Sequence, residues 1–351
     1  MNNKTKTALV YNLTNTFVQQ DIQHLQNLSA QVYLHSSYPH KDPIRFWWNR
    51  LRELFFGLFY GPRVKVVFCW FNDYHAFFPL LWARLLAKKG VLIVGGYDAV
   101  SDPALQYGVF AKNNGRQWIA KWNYKLAHLI WVVDETLAKG CENAQAQEQI
   151  QSGIKHFLPT ISTPIEVVPT GYDPDFWKST GDQKPHTILT VANIPDKRTF
   201  RRKGIDLFFR LAQDLPHFKF TLAGLTYALP KTIEVPQNVT LLGRQNANEL
   251  RALYAKHYYY FQGSRVEGLP NVLCEAMLCE CIPLVRNVFG MPKAVGETGF
   301  VFNPNKDWEK LLQFVANDEP KEGNKARERI LKQFHVQARY EAFKLLLTQS
   351  S

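Results

Sequence analysis

The 351-residue chain is 46% hydrophobic and 21% charged, which excludes an intrinsically disordered protein and suits about two domains with a core each. Its 42 lysines and arginines outnumber 30 aspartates and glutamates. The formal charge of +12 calls for an anionic partner: nucleic acid, a membrane surface or a phosphorylated ligand.

Short apolar runs alternate with helical patterns from end to end, the pattern of a parallel α/β architecture. In the first half, strands are predicted at 7–11, 31–35, 64–71, 91–96, 129–133 and 165–169, dense in Val, Ile and aromatics as strands buried on both faces require. Helices are predicted at 77–87 and 116–127. The segment 44–60, ended by Gly61-Pro62, winds into a helix with Arg45, Asn49, Arg52 and Glu53 on one side and Arg50 at the margin. Trp47, Trp48, Leu51, Leu54, Phe55 and Leu58 fill its other side. Such a helix either buries its aromatics on the N-terminal sheet or lays them on an anionic membrane surface, where rings insert and cations meet lipid. Residues 170–185, rich in Gly, Pro, Asp and Thr, form the seam. A second series of strands follows at 187–192, 218–223, 239–242, 258–262 and 282–285. The helix after its first strand repeats Ile205, Phe208, Phe209, Ala212 and Leu215 at a 3.6-residue period, and further helices are expected at 246–257 and 271–279. From about Asn324 the tail reads as one charged amphipathic helix.

Five cysteines, at 69, 141, 274, 279 and 281, contain no Cys-x2-Cys pair, so neither a zinc knuckle nor a disulfide framework is indicated. The polar start (Asn2, Asn3, Lys4) carries no secretory pattern, and no apolar run approaches the roughly 20 residues of a membrane span. The expectation is a cytoplasmic protein, with room for peripheral contact on the cytoplasmic face of a membrane.

The segment running from Ser264 through Glu267-Gly268-Leu269-Pro270-Asn271-Val272 to Glu275 carries the most chemistry. A strand runs into a turn and a helix begins at Pro270 or Asn271, where free N–H groups and the positive dipole end suit a phosphate. Glu267 precedes that helix and Glu275 lies a turn inside it. A carboxylate beside a phosphate is repelled, so both are expected to accept hydrogen bonds from hydroxyls, as a nucleotide sugar supplies on either side of its diphosphate. From spacing alone, a loop charge and a solvated helix position would account for the pair.

The wording of this segment, Ser264, Glu267-Gly268, Pro270-Asn271-Val272, Glu275-Ala276-Met277 and Pro283, resembles the Glu-x7-Glu signature of retaining glycosyltransferase family four. Other blocks similar to that family occur in order: 166–176 as its interdomain linker, Arg202-Lys203-Gly204 after 190–192, Leu222-Ala223-Gly224, and Gly290-Met291-Pro292 before Thr298-Gly299. The resemblance is strong from about 165 to 305 and faint before. It implies the GT-B fold: two Rossmann-like domains with a donor/acceptor cleft between them. Mapped on this chain, it gives an acceptor-binding domain at 1–170, a linker at 171–185, a nucleotide-sugar domain at 186–325 and a C-terminal helix at 326–351 packing back toward the first domain. It implies transfer of a hexose-type sugar, with retention, from a nucleoside diphosphate sugar to a glycan or lipid-linked acceptor, as in polysaccharide biosynthesis.

By that resemblance Lys203 contacts phosphate, Glu267 serves catalysis and Glu275 the donor, beside Ser264, Gly268, Leu269, Asn271 and Val272. Asn193 stands where the family has an arginine, and Arg198, Arg201 or Arg202 is expected to compensate. Lys197, Arg198, Arg201, Arg202 and Lys203 crowd a seven-residue loop before a helix, and cations there would stabilise the charge of a departing diphosphate. Asp173-Pro174-Asp175 imitates a metal-binding Asp-x-Asp but is turn chemistry in this context, and neither metal nor cofactor is expected. In the first half Tyr97-Asp98 replaces the family's His-Asp pair, making Asp98 a further catalytic candidate. His75, Trp47, Trp48, Arg50 and Arg52 are candidates for acceptor or membrane contact. A sugar-nucleotide epimerase or degenerate binding subunit of the same fold is the rival reading. A nucleic-acid-binding protein is disfavoured because the bases spread over both halves without a recognised motif.

Overall fold

The computed structural model describes residues 5–317 and 321–349; Asn2, Asn3 and Lys4 lie outside them. The described chain divides into two compact units, unit 1 up to Cys141 with Gln149–Gly171 and the segment from Val336, and unit 2 with Glu142–Glu148 and Tyr172–His335.

Unit 1 runs β1 (Lys6–Tyr11), α1 (Thr16–Leu28), β2 (Gln31–Ser36), α2 (Pro43–Tyr60), β3 (Val66–Trp70), α3 (Phe77–Leu85), β4 (Lys89–Val94), β5 (Val100–Ser101), α4 (Gly115–Leu126), β6 (Leu129–Val132) and α5 (Thr136–Lys139). Helix α6 (Glu142–Glu148) belongs to unit 2, after which β7 (Gln151–Ser152), α7 (Ile154–Phe157) and β8 (Ile165–Val167) complete the series. Six of these strands form a parallel sheet in the order β2-β1-β3-β4-β6-β8, while β5 and β7 pair as a short antiparallel ribbon. Strands β3, β4 and β6 are buried almost throughout, as their unbroken apolar sequences require.

Unit 2 repeats the plan with β9 (Lys184–Ile194), α8 (Lys197–Arg202), α9 (Ile205–Asp214), β10 (Lys219–Leu225), β11 (Val239–Leu242), α10 (Ala247–Lys256), β12 (His257–Gln262), α11 (Asn271–Leu278), β13 (Ile282–Arg286), α12 (Met291–Val295), β14 (Phe300–Phe302), α13 (Trp308–Ala316) and α14 (Gly323–Gln333). Its sheet, also parallel, is ordered β11-β10-β9-β12-β13-β14. The predicted face of α9 is buried in full, with Phe208 packed on Phe220 and Phe261 of the sheet.

The structure corrects the sequence reading in two places and, for α2, removes one of the two alternatives left open. The basic stretch expected as a loop is helix α8, started by the Asp196 carboxylate accepting the Thr199 N–H at 2.6 Å. The tail is two helices rather than one: α14 stays with unit 2, the chain leaves helical geometry at Phe334, and α15 (Val336–Thr348) belongs to unit 1. At the break the Phe334 carbonyl accepts the Tyr172 N–H at 3.0 Å. The aromatic side of α2 does not bury on the sheet; its buried residues are Asn49, Glu53, Phe56 and Gly57.

Unit 1 is closed by its last helix. Arg339 of α15 forms a fully buried two-pronged ion pair with Asp21 of α1, both contacts at 2.6 Å, and donates to the Val168 carbonyl at 2.8 Å. The Trp70 indole donates to the same carboxylate at 2.6 Å, and the guanidinium lies over the Trp70 ring. Removing one member leaves the other charge buried and unpaired. Arg339→Ala is expected to destabilise the protein by about 3–5 kcal/mol in urea unfolding. A loss under about 1 kcal/mol would mean that water or a neighbour readily replaces the guanidinium.

Candidate functional site

In unit 2 the first strand, β9, has β10 on one side and β12 on the other, so the chain's path reverses beside it. The loops leaving the carboxyl ends of β9 and β12 part company there and open a crevice, the usual ligand position in open parallel sheets. The loop after β9 leads into α8, and Lys203 caps that helix. The loop after β12 carries Ser264 and Glu267. Gly204 brings the two loops together: it sits at φ +68°, and a Cβ there would stand 2.0 Å from the Gly263 carbonyl oxygen. The Arg265 N–H then donates to the Arg202 carbonyl at 2.8 Å.

This approach places the Lys203 ammonium on the Glu267 carboxylate as an ion pair. Behind it runs a directed chain of hydrogen bonds. The Tyr260 hydroxyl donates to Gln262 Oε1 at 3.0 Å, Gln262 Nε2 donates to Ser264 Oγ at 2.7 Å, and Ser264 Oγ donates to Glu267 Oε1 at 2.9 Å. Burial raises the Glu267 carboxyl, but Lys203, Arg202 and the donated hydrogen bonds outweigh it and hold the group below its ordinary range. Burial likewise pushes the Lys203 ammonium down, only partly offset by Glu267. The result is an ionised, oriented carboxylate, and a lysine with two further N–H donors for an incoming anion.

Helix α11 starts beside this pair. Pro270 precedes its first residue, Asn271, whose side chain accepts the Tyr172 hydroxyl at 2.7 Å. Gly268 and Leu269 are buried in the turn, with the Gly268 carbonyl accepting the Gly290 N–H at 3.1 Å, and Val272 is part-exposed in the first turn. Glu275, a turn further along the same helix, is buried, with the Tyr254 hydroxyl donating to Oε2 at 3.3 Å, and burial raises its carboxyl to about 7. The structure thus joins Lys203, Arg202, Ser264 and Glu267 in one cluster and sets Glu275 apart on the next element. Arg201 is exposed on α8 and lines an adjoining cavity of about 500 Å³ with Lys197, Phe200, Thr232 and Arg265. The Asp173 carboxylate accepts the N–H of Asp175 at 2.9 Å, a turn-forming contact. Among the described residues no group of three His, Cys, Asp or Glu side chains is placed to hold a metal, and all five cysteines are buried with no disulfide between them.

The candidates from the first half lie in unit 1. Asp98 is fully buried inside a turn, accepting N–H groups from Gly96 at 2.9 Å, Asn72 at 3.1 Å and Gly95 at 3.2 Å. Burial raises its carboxyl to about 6 against those bonds. The geometry makes it an organiser of the loops after β3 and β4. His75 is also buried: its Nε2–H donates to the Trp70 carbonyl at 2.7 Å, and burial lowers its ring to about 4. Arg50 is ion-paired with Glu53 and stacks over Phe46, whereas Trp47, Trp48 and Arg52 are exposed. Arg50 and His75 line a cavity of about 160 Å³ with Asn12, Asp73, Tyr74 and Arg116. That cavity sits where β1 separates β2 from β3, the counterpart in unit 1 of the crevice in unit 2.

Sequence reasoning passed over Tyr260, Gln262, Tyr254 and Tyr172. For the first two a signal existed: with Ser264 they follow at two-residue spacing along β12 and its exit, the period that aligns side chains on one face. The tyrosines at 254 and 172 reach the site through tertiary packing and carried no local signal.

Residues 173–333 match the family model described as Glycosyl transferases group 1. The alpha-galactosylglucosyldiacylglycerol synthase of Streptococcus pneumoniae is 31% identical over 129 residues, 33% of this chain and 34% of that protein. The chain spans about a third of the length of the curated relatives it matches, 36% and 34%. Among solved structures, a sucrose-phosphate synthase from Thermosynechococcus elongatus superposes at a TM-score of 0.74 with 14% identity over 99% of both chains. Anabaena HepE in complex with UDP and glucose superposes at 0.67 with 12% identity, over 98% of this chain and 99% of that one. The fold is that of the GT-B glycosyltransferases, and the segment that matches the family model is most of unit 2.

Glu275 gives the site a pH signature. A carboxyl raised from 4.5 to about 7 on folding contributes stability that is complete below pH 4.5 and is lost as pH rises through about 7. Glu53 and Asp98, raised to about 7 and about 6 by burial, titrate in the same window, so a difference measurement is needed. Glu275→Gln cannot ionise and should remove this share of the decline. Its stability relative to the parent, from urea titrations, should rise between pH 4.5 and 7. Parallel pH curves for the two proteins would show that Glu275 does not titrate there.

Proposed function

We propose that this protein is a retaining glycosyltransferase that takes a hexose-type sugar from a nucleoside diphosphate donor held by unit 2 and passes it to a glycan or lipid-linked acceptor. The carrying observation is the Lys203–Glu267 pair at the crevice between β9 and β12, next to the amino end of α11. A diphosphate there meets the ammonium and the helix's positive end together. Glu267, fixed by Ser264 and Lys203, is left to accept a sugar hydroxyl, and Glu275 is assigned to the ribose. Similar proteins agree with these ligand classes: HepE is solved with UDP and glucose, and the pneumococcal relative is named for a glycosylated diacylglycerol.

In the proposed reaction the bond between the anomeric carbon and the diphosphate oxygen breaks, and its electron pair stays on that oxygen. The acceptor hydroxyl bonds to the same carbon from the same face and gives its proton to the departing phosphate. Lys203 and the bases of α8 stabilise the charge that grows on the phosphate as the bond breaks. No protein nucleophile is needed, and no metal is invoked.

Glu275→Ala should weaken donor binding by about 1–3 kcal/mol in calorimetric titration, because a buried hydroxyl partner is lost. Glu267→Ala and Lys203→Ala should reduce kcat more than donor affinity, since their contacts sharpen as charge develops. Full turnover in both of the latter would remove the site from the chemistry. Proton NMR of fresh product should show the donor's anomeric configuration kept; an inverted product would end the retaining reading. Donor binding with no nucleoside diphosphate released in the presence of any acceptor would favour a binding subunit instead.

A further inference from the structure

Helix α2 turns its polar side to unit 1 and its apolar side away. The inner side is held by specific contacts. Asn49 donates to the Tyr38 carbonyl at 3.1 Å, the Ser37 hydroxyl donates to the fully buried Glu53 at 2.5 Å, and Arg50 pairs with the same carboxylate. At Gly57 the Trp82 indole closes on the helix so tightly that a Cβ would stand 2.1 Å from its Cδ1. The outer side carries Trp47 and Trp48, 69% and 61% exposed, followed by Leu51, Phe55, Leu58 and Phe59. This row, about 18 Å long at 1.5 Å per residue, is larger than scattered surface apolar residues explain.

The row is edged with bases. Lys41, Arg45, Arg52, Arg63 and Lys65 are exposed, while the two acids of the same stretch are spent: Asp42 caps the helix by accepting the Ile44 and Arg45 N–H groups, and Glu53 is buried. Aromatic rings beside uncompensated cations match the boundary of an anionic bilayer, where rings enter the headgroup layer and bases meet lipid phosphate. A second copy of this chain fits worse, because like faces would set one basic rim against another on a protein of charge +12. No helix among the described residues is long and apolar enough to cross a bilayer.

We propose that the outer face of α2 docks this protein on an anionic membrane surface, the helix lying in the plane of the headgroups. The inference deepens and rests on the proposed function, in that it places the enzyme where a lipid-linked acceptor is held. The test is co-sedimentation with vesicles of phosphatidylcholine alone or mixed with phosphatidylglycerol, across a salt series. Thermal stability and donor hydrolysis by water are read in parallel.

The parent protein should sediment with the mixed vesicles at low salt and be released as salt rises. Arg45→Ala with Arg52→Ala should lower the partition coefficient about 30-fold. Trp47→Ser with Trp48→Ser should lower it more than roughly tenfold without lowering the melting temperature, because neither ring packs on the core. A parent protein that stays in the supernatant with mixed vesicles overturns the proposal. So does a tryptophan variant that still binds, one that melts early, or a parent dimer that the tryptophan changes dissolve. Vesicle binding without nucleoside diphosphate release would instead count against the glycosyl-transfer reading and leave the docking face standing.

Discussion

The constraint behind both units is that each parallel sheet grows outward from its first strand in two directions. A strand that has later strands on both sides must send its exit loop one way while its neighbour's goes the other, and the gap between them cannot be filled by either helix layer. In unit 2 that gap lies between β9 and β12, and the chemistry-bearing residues follow from it: Lys203 comes off one lip and Ser264–Glu267 off the other. In unit 1 it lies between β1 and β3 and is occupied by the small cavity beside Asn12 and Tyr74. The fold supplies the position, and the loops supply what stands in it.

What stands in unit 2's crevice is an ion pair that is poorly justified as a source of stability. Taking an ammonium and a carboxylate out of water costs several kcal/mol per ion, and their attraction roughly repays it at best. The opposing shifts agree: burial lowers Lys203 and acts to raise Glu267, and the charges of Lys203 and Arg202 with the hydrogen bonds from Lys203 and Ser264 restore the carboxylate. An arrangement that gains little folding energy yet is held by a glycine-mediated backbone contact and a three-step hydrogen-bond chain fits the ligand-binding role proposed above. In that proposal a phosphate that draws on Lys203 would replace part of what Glu267 supplies and leave a carboxylate oxygen for hydroxyls.

Much of the fold was legible because parallel strands advertise themselves. β3, β6 and β4 from Val91 on are unbroken apolar runs, and β11 and β12 were placed within a residue of their ends. The three-residue β14 and the two-residue β5 and β7 were missed, since so few residues carry no period. Helix α8 was taken for a loop because six residues with four bases look solvated, and only the Asp196 cap marks its start. At the site, Lys203, Ser264 and Glu267 were readable from the wording around them. The tyrosine that meets Glu275 depends on the packing of α10 against α11 and could not be read along the chain. The loop residue Asp98 was singled out because Tyr97-Asp98 stands where the resembled family has a His-Asp pair, and in the structure its carboxylate accepts three backbone N–H groups.

The closing of unit 1 shows why the order of the chain matters as much as its pattern. Asp21 enters the first helix with no cation near it in sequence, and Trp70 arrives with an indole N–H that needs the same carboxylate. The guanidinium that balances them is 318 positions away, beyond the whole of unit 2. Until α15 is made, unit 1 holds a carboxylate that must stay hydrated, so the layer of α1 against the sheet cannot dry out completely. The break at Phe334 is what permits the return: a continuous helix from Gly323 would have carried Arg339 onward with α14, whereas two segments let α14 finish unit 2 and α15 deliver its arginine to unit 1. A tail that looks like a dispensable amphipathic helix therefore carries the counterion for a charge fixed at the other end of the protein, and the completion of the N-terminal unit waits on the last residues of the chain.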